Sequence, residues 1–80
     1  MTTLIVDGHA PNLKLLRFVL ESDGVEVREA CNGEEALEIL DRCQIDLIIS
    51  DLILPRMDGF RLCDAVRRHP QHGQLPFVIY

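Results

Sequence analysis

Apolar residues along this chain follow two alternating patterns. Short apolar runs favour β-strands, and segments with apolar residues every three or four positions favour amphipathic helices. The strand-like runs cover residues 4–6, 25–30, 47–49 and 77–80. The helix-like segments cover residues 13–20, 33–43 and 59–68. The predicted order of elements is therefore β-α-β-α-β-α-β.

The first predicted helix has a broad apolar face. Its members are Leu13, Leu15, Leu16, Phe18, Val19 and Leu20. Helical spacing assigns this face mainly to the core, although the sequence leaves open whether part of it meets a partner. Pro11 suits the first turn, since proline needs no backbone N–H there. Gly24 is expected to end the helix in a left-handed conformation.

The predicted strands differ in how they would be covered. Residues 25–30 alternate between apolar and charged side chains, as an exposed or edge strand does. Residues 47–49 are continuously apolar, which predicts a central strand covered on both faces. Strands that alternate with helices imply right-handed crossovers. We therefore predict an α/β fold with a parallel sheet and helices on both faces.

Length and charge narrow the possible functions. A chain of 80 residues makes one domain, and 48% hydrophobic residues are enough for a packed core. The formal net charge of −5 argues against a nucleic-acid surface, which needs clustered basic residues.

The cysteines and the apolar runs indicate in which cellular compartment the protein is expected. The three cysteines form no C-x-x-C pair, and Cys43 and Cys63 fit small buried side chains in a reducing compartment. No apolar run reaches the roughly 20 residues of a membrane span. The N-terminus also lacks the layout of a signal peptide. We expect a cytoplasmic protein that contacts neither membrane nor nucleic acid.

Two acidic residues follow predicted strands. Asp7 comes after the first strand and Asp51 after the third. Ligands of open α/β sheets bind beyond the carboxyl ends of the strands, and these two carboxylates would share one crevice if their strands are neighbours. A carboxylate pair suits Mg²⁺, and a carboxylate beside that ion can become an aspartyl phosphate. Spacing alone also allows each aspartate to be a helix cap or turn residue.

Three segments resemble the response regulator receiver family. They are residues 4–7, 32–37 and 46–60, the last of which contains the specific pattern D-x-x-L-P-x-M-D-G. The similarity runs along all 80 residues. It implies a flavodoxin-like sheet with strand order 2-1-3-4.

The resemblance also implies roles for individual residues. Asp51 matches the phosphoacceptor. Asp7 matches one of the acids that hold Mg²⁺, and Ile53 matches the position whose backbone carbonyl is a metal ligand. Pro55 and Gly59 match residues that shape the loop after the acceptor. Asp58 is expected to cap the third helix rather than bind metal.

The chain departs from the family pattern in two respects. The family usually has a second acid after the position of Asp7, where this chain has Gly8, so Mg²⁺ binding is expected to be weaker. The family also has a fourth helix, a fifth strand and a fifth helix, together with a Ser or Thr and a Lys, that residues 1–80 do not include. An open edge on the fourth strand would favour self-association, plausibly through that strand and the third helix.

The sequence is compatible with three functions. The leading hypothesis is a receiver that accepts a phosphoryl group from a histidine kinase or histidine phosphotransfer protein. It would not be an enzyme, beyond promoting its own phosphorylation and dephosphorylation. The main alternative is a pseudo-receiver, a phosphorylation-independent interaction or dimerisation module. A flavodoxin-like cofactor binder ranks below both, because no Gly-rich or Ser/Thr-rich phosphate loop follows the first strand.

The histidines do not suggest a metal site. His9 is expected in a solvated loop. His69 and His72 flank Pro70 in a polar segment, which is poor geometry for two ligands of one ion.

Overall fold

Strands and helices alternate in the computed structural model, which describes all 80 residues. The elements are β1 (Thr2–Val6), α1 (Ala10–Ser22), β2 (Glu26–Ala30), α2 (Gly33–Arg42), β3 (Leu47–Ser50), α3 (Gly59–Arg67) and β4 (Phe77–Ile79). The predicted order is confirmed. No helix has the length and apolar character needed to cross a membrane.

All neighbouring strands of the sheet are parallel, in the order β2-β1-β3-β4. The predicted parallel sheet, its strand order and the edge position of β2 are confirmed. In this register Val6 lies opposite both Ala30 and Ser50. The carboxyl ends of β1, β2 and β3 therefore meet at one edge.

One face of the sheet is covered by α2 and α3. A single cluster of 12 buried residues fills this side, namely Leu4, Val6, Ala30, Ala36, Ile39, Leu40, Ile45, Ile48, Leu54, Leu62, Val66 and Leu75. Burial of one such Leu, Ile or Val side chain contributes about 1.5–3 kcal/mol. This cluster is the principal core of the domain.

The opposite face is covered by α1 alone. Its buried cluster has 3 residues, Ile5, Leu13 and Val27, with Leu16 and Leu20 partly buried beside them. The predicted broad inward face of α1 is wrong for three of its members, which are largely exposed: Leu15 (64%), Phe18 (71%) and Val19 (52%). They point away from the sheet, and no second helix packs on that flank of α1.

The central strand β3 is covered unevenly. Ile48 is completely buried against α2 and α3, but Ile49, on the α1 side, is only half-buried. The predicted central position of β3 is confirmed, but the predicted cover on both faces is only partial at Ile49, because α1 lies over β1 and β2 rather than over β3.

Two predicted helix ends are confirmed. Gly24 has φ +79°, one residue beyond the C-cap Asp23 of α1. The side chain of Asp58 accepts a hydrogen bond from the Arg61 N–H at 2.8 Å and so caps α3. The cysteines are free, and Cys43 and Cys63 are half-buried rather than fully buried.

Candidate functional site

The two candidate aspartates lie side by side at the carboxyl edge of the sheet. Because Val6 pairs with Ser50, the residues that follow, Asp7 and Asp51, leave neighbouring strands at equivalent points. The Asp51 N–H donates to the Val6 carbonyl at 2.9 Å, and the Asp7 N–H donates to the Ala30 carbonyl at 3.1 Å. The backbone on both sides is thus fixed by strand pairing, and the structure brings together the two residues that spacing singled out.

Asp7 is fully buried and surrounded by donors. Its Oδ1 accepts from the His9 N–H at 2.9 Å. Its Oδ2 accepts from the Asn12 side-chain amide at 3.0 Å and from the Tyr80 hydroxyl. Burial favours the neutral acid, but the hydrogen bonds outweigh it and lower the pKa of Asp7 below its ordinary value. Asp7 is therefore an ionised carboxylate that forms no ion pair.

Asp51 is half-buried, and its carboxylate accepts fewer hydrogen bonds than that of Asp7. Its only hydrogen bond to the side chain comes from the Ile53 N–H at 3.4 Å, which is long for such a bond. Its carbonyl, in contrast, accepts from the Ser50 hydroxyl at 2.9 Å. The backbone is anchored while the carboxylate keeps most of its acceptor capacity, as a nucleophile requires.

Ile53 contributes through its backbone. Its side chain is 79% exposed and has no evident role in the site. Its carbonyl oxygen accepts no hydrogen bond from the rest of the chain. The oxygen is therefore free to bind a ligand, in line with the role that the resemblance implied.

A hydrogen bond joins the two ends of the loop between Asp51 and α3. The Gly59 N–H donates to the Leu52 carbonyl at 2.7 Å. A Cβ at position 59 would lie 2.8 Å from the Asp51 carbonyl oxygen, which is too close for any side chain. Within the loop, Arg56 has φ 65°, in the region that is unfavourable for residues other than glycine. Gly59 lets α3 begin directly against Asp51.

Gly8 and Pro55 fit together across the site. A Cβ at position 8 would lie 3.3 Å from the Pro55 Cδ, closer than ordinary van der Waals contact. A side chain at this position therefore requires Pro55 to give way by a few tenths of an ångström. The Pro55 ring therefore lies close to the space that a second acidic side chain at position 8 would enter.

The sequence pattern does not single out Tyr80 and Asn12, which both bind Asp7 in the structure. Besides its hydroxyl bond to Asp7, Tyr80 continues the strand pairing: its N–H donates to the Ser50 carbonyl at 3.0 Å, and its carbonyl accepts from Leu52 at 3.0 Å. Burial, and then the bond to Asp7, raise the pKa of Tyr80. A polar aromatic residue ending the strand next to β3 was the available signal for Tyr80. For Asn12 it was an amide in the first turn after Asp7.

The residues present fit a magnesium ion with few protein ligands. No group of three or more His, Cys, Asp or Glu side chains could hold a metal. Mg²⁺, however, commonly binds through one or two carboxylates and keeps several waters. Asp7, Asp51 and the unoccupied Ile53 carbonyl supply that minimal set.

No histidine side chain forms a hydrogen bond with Asp7 or Asp51, and His9 reaches the site only through its backbone N–H. His9 is exposed in the loop that leads into α1, as expected. His69 and His72 lie near the amino ends of β3 and β4, where they line a cavity of about 410 Å³. The segment is a turn of mostly polar residues, as predicted, but within it the His72 side chain is buried, with only 4% exposed. Its Nε2 accepts from the Ile45 N–H at 3.3 Å, and this contact draws the ring inward.

Comparison with known proteins gives consistent matches. Residues 3–80 match the family model described as response regulator receiver domain. An uncharacterized 14.6 kDa protein from Leptolyngbya boryana is 42% identical over 78 residues, covering 98% of this chain and 60% of that protein. The sensor histidine kinase RcsC of Escherichia coli is 40% identical over 68 residues, covering 85% of this chain and 7% of the kinase.

Solved structures agree. The chemotaxis response regulator CheY4 of Vibrio cholerae superposes with a TM-score of 0.93 at 33% identity, covering 98% of this chain and 65% of that one. The chain therefore spans less than two thirds of the length of these relatives.

Proposed function

Because the chain belongs to the response regulator receiver domain family, we propose that it accepts a phosphoryl group on Asp51 with the help of Mg²⁺. The donor would be a histidine kinase or a histidine phosphotransfer protein. The match to part of a sensor histidine kinase supports this partner class. The cytoplasmic location expected from the sequence belongs to the same proposal.

One observation carries the proposal. Asp51 holds a carboxylate with a single long hydrogen bond beside a second, buried and ionised carboxylate, Asp7. A structural cap aspartate accepts a short hydrogen bond from the helix, as Asp58 Oδ1 does from the Arg61 N–H at 2.8 Å, whereas the bond to Asp51 measures 3.4 Å. Asp51 is held in place by its backbone and left open at its side chain.

The chemistry divides among the residues present. An Asp51 carboxylate oxygen would form the new bond to phosphorus, while the bond from phosphorus to the donor imidazole nitrogen breaks and its electron pair stays on that nitrogen. Asp7, Asp51 and the Ile53 carbonyl would hold Mg²⁺, which offsets the charge of the transferring group. The strand pairing of Val6 with Ser50 keeps the two carboxylates in register.

The pseudo-receiver remains a second candidate because of Gly8. This position has no carboxylate, and a side chain here would press against Pro55. A site with only two carboxylates should bind Mg²⁺ more weakly than one with three. If Mg²⁺ binding is lost completely, the domain would keep its fold and its contacts with other proteins but would not accept a phosphoryl group.

Self-association is also part of the proposal. Val78 of β4 is 49% exposed and Phe60 of α3 is 63% exposed. β4 is an edge strand whose outer side has no partner. These features support an interface through β4 and α3, and sedimentation of the protein over a range of concentrations tests it.

Phosphorylation is tested by incubating the protein with acetyl phosphate and Mg²⁺ and measuring its intact mass. We expect one added phosphoryl group in the wild type and none in Asp51→Asn. Asp58→Asn is the matched control, because it changes an exposed aspartate of the same loop to another good capping residue. It should be labelled like the wild type.

The contrary result is equally informative. A folded wild type that gains no phosphoryl group would support the pseudo-receiver. Repeating the measurement with Gly8→Asp would then show whether the missing carboxylate is responsible.

A further inference from the structure

The Tyr80 side chain joins the candidate metal site to the flank of α1. Its hydroxyl donates to Asp7 Oδ2, and its ring lines a cavity of about 210 Å³ together with Asn12, Leu15 and Leu16. The residue is 47% exposed, so its side chain has room to move. Its backbone N–H and carbonyl are both held by strand pairing. The side chain can therefore leave Asp7 without the strand end moving.

The acceptor capacity of Asp7 is almost fully used by the protein. A carboxylate oxygen offers about two lone pairs. Oδ2 already receives both the Asn12 amide and the Tyr80 hydroxyl, and Oδ1 receives the His9 N–H. A cation that binds Asp7 through Oδ2 must displace one of these donors. Asn12 and Tyr80 are both exposed, but the Tyr80 hydroxyl stands at the end of the longer side chain, whose ring can turn towards the cavity that it lines.

We propose that the Tyr80 hydroxyl competes internally with the cation for Asp7, so that a cation on Oδ2 and the Tyr80–Asp7 hydrogen bond exclude each other. The inference rests on the proposed function, since it assumes that Asp7 binds Mg²⁺. The inference makes Tyr80 a residue that lowers the affinity of the site for Mg²⁺. It also implies that occupancy of the site is transmitted to the Leu15–Leu16 flank of α1 through one aromatic ring.

The competition predicts the direction of a mutational effect. Tyr80→Phe keeps the ring and removes only the hydroxyl, so Asp7 loses one donor and gains a free lone pair. Hydrogen bonds to charged groups are among the stronger ones, and we expect Mg²⁺ to bind Tyr80→Phe about tenfold more tightly than the wild type. A residue that merely positioned Asp7 would give the opposite sign, weaker binding after loss of the hydroxyl.

Wild-type protein supplies a second, independent signal. Tyr80 is the only tyrosine and the chain has no tryptophan, so intrinsic fluorescence reports on this side chain alone. A carboxylate that accepts a hydrogen bond from tyrosine quenches its emission. We therefore expect fluorescence to rise as Mg²⁺ is added, with the same midpoint as the heat of binding measured by calorimetry.

The experiment combines both readouts. Calorimetric Mg²⁺ titrations compare the wild type, Tyr80→Phe and the control Leu15→Ala, which lines the same cavity without bonding to Asp7. Circular dichroism confirms that each is folded. Tighter binding by Tyr80→Phe alone, with a rise in wild-type fluorescence, supports the competition.

Two outcomes would overturn it. Measurable Mg²⁺ binding that is unchanged or weaker in Tyr80→Phe removes the competition and leaves the proposed phosphoacceptor site intact. Absence of heat with both proteins, together with unchanged fluorescence of the wild type, removes the metal site as well as the competition. Acetyl phosphate labelling, which is measured separately, tells these two failures apart.

Discussion

The two faces of the sheet hold very unequal parts of the core. The face under α2 and α3 contains a continuous cluster of 12 buried residues, and the face under α1 contains one of 3. All three helices have the same kind of pattern, with apolar residues at helical spacing. Yet Leu40 of α2 is 1% exposed and Leu15 of α1 is 64% exposed.

The difference shows what an amphipathic pattern can and cannot predict. The pattern gives the direction of an apolar stripe, but its buried width depends on how many neighbours the helix has. α2 is flanked by α3 and buries a wide stripe. α1 has no neighbouring helix, so only the line of contact that includes Leu13 is buried.

The largest effect should come from removing a core side chain on the α2–α3 face. Leu62 is completely buried in the larger cluster, whereas Leu13 is 8% exposed in the smaller one. We expect Leu62→Ala to reduce the free energy of unfolding by about 3–4 kcal/mol and Leu13→Ala by about 2 kcal/mol. Urea denaturation followed by circular dichroism measures both. Equal losses would mean that the two faces contribute alike.

A smaller effect should come from protonating His72 at the margin of the same face. Its Nε2 accepts the Ile45 N–H, so the ring is neutral there, with its proton on Nδ1. Burial, and then the charge of His69, lower the pKa of His72 in the folded protein. Asp41 and Asp46 act in the opposite direction without reversing the shift.

The sign of the pH dependence follows from this shift. Below the unfolded value of 6.5 the unfolded chain binds a proton that the folded chain resists, so stability falls as the pH drops from about 6.5 towards the lower folded pKa. His72→Gln, which keeps an acceptor for Ile45, should flatten this part of the curve. The lowered pKa of Asp7 also makes stability fall in acid, but only at pH values below its ordinary pKa of 3.8. The effects of His72 and Asp7 on stability therefore occur in separate pH ranges. Thermal unfolding of the two proteins between about pH 5 and about pH 8, a range around the ordinary histidine pKa of about 6.5, tests the assignment.

The smallest effect should come from the exposed flank of α1. Phe18 is 71% exposed, so Phe18→Ser should change the free energy of unfolding by no more than about 0.5 kcal/mol. A loss close to that of Leu13→Ala would show that Phe18 is covered in solution. Urea denaturation at low and high protein concentration would reveal whether that cover is a second copy of the chain.

Most of the fold could be predicted from the sequence because it depends on local periodicity. Alternating strands and helices predicted the parallel sheet. The position of Asp7 and Asp51 after two strands predicted that they meet, once the resemblance supplied the strand order. These features need only short-range pattern and a general rule about sheet edges.

The remainder depends on contacts between distant parts of the chain. Tyr80 reaches Asp7 across 73 residues, and His72 reaches Ile45 across 27. Neither contact leaves a periodic trace in the sequence. The exposure of Leu15 has a similar origin, because it depends on the absence of a neighbouring helix rather than on the pattern of α1 itself.

The close fit at Gly59 has a mechanical consequence. A Cβ at the first residue of α3 would lie 2.8 Å from the Asp51 carbonyl oxygen, and the Gly59 N–H donates to the Leu52 carbonyl at 2.7 Å. Gly59 has no side chain that could yield to a displacement of Asp51. A shift of the Asp51 peptide towards Gly59 is therefore expected to displace the amino end of α3 as well, because little free space separates them.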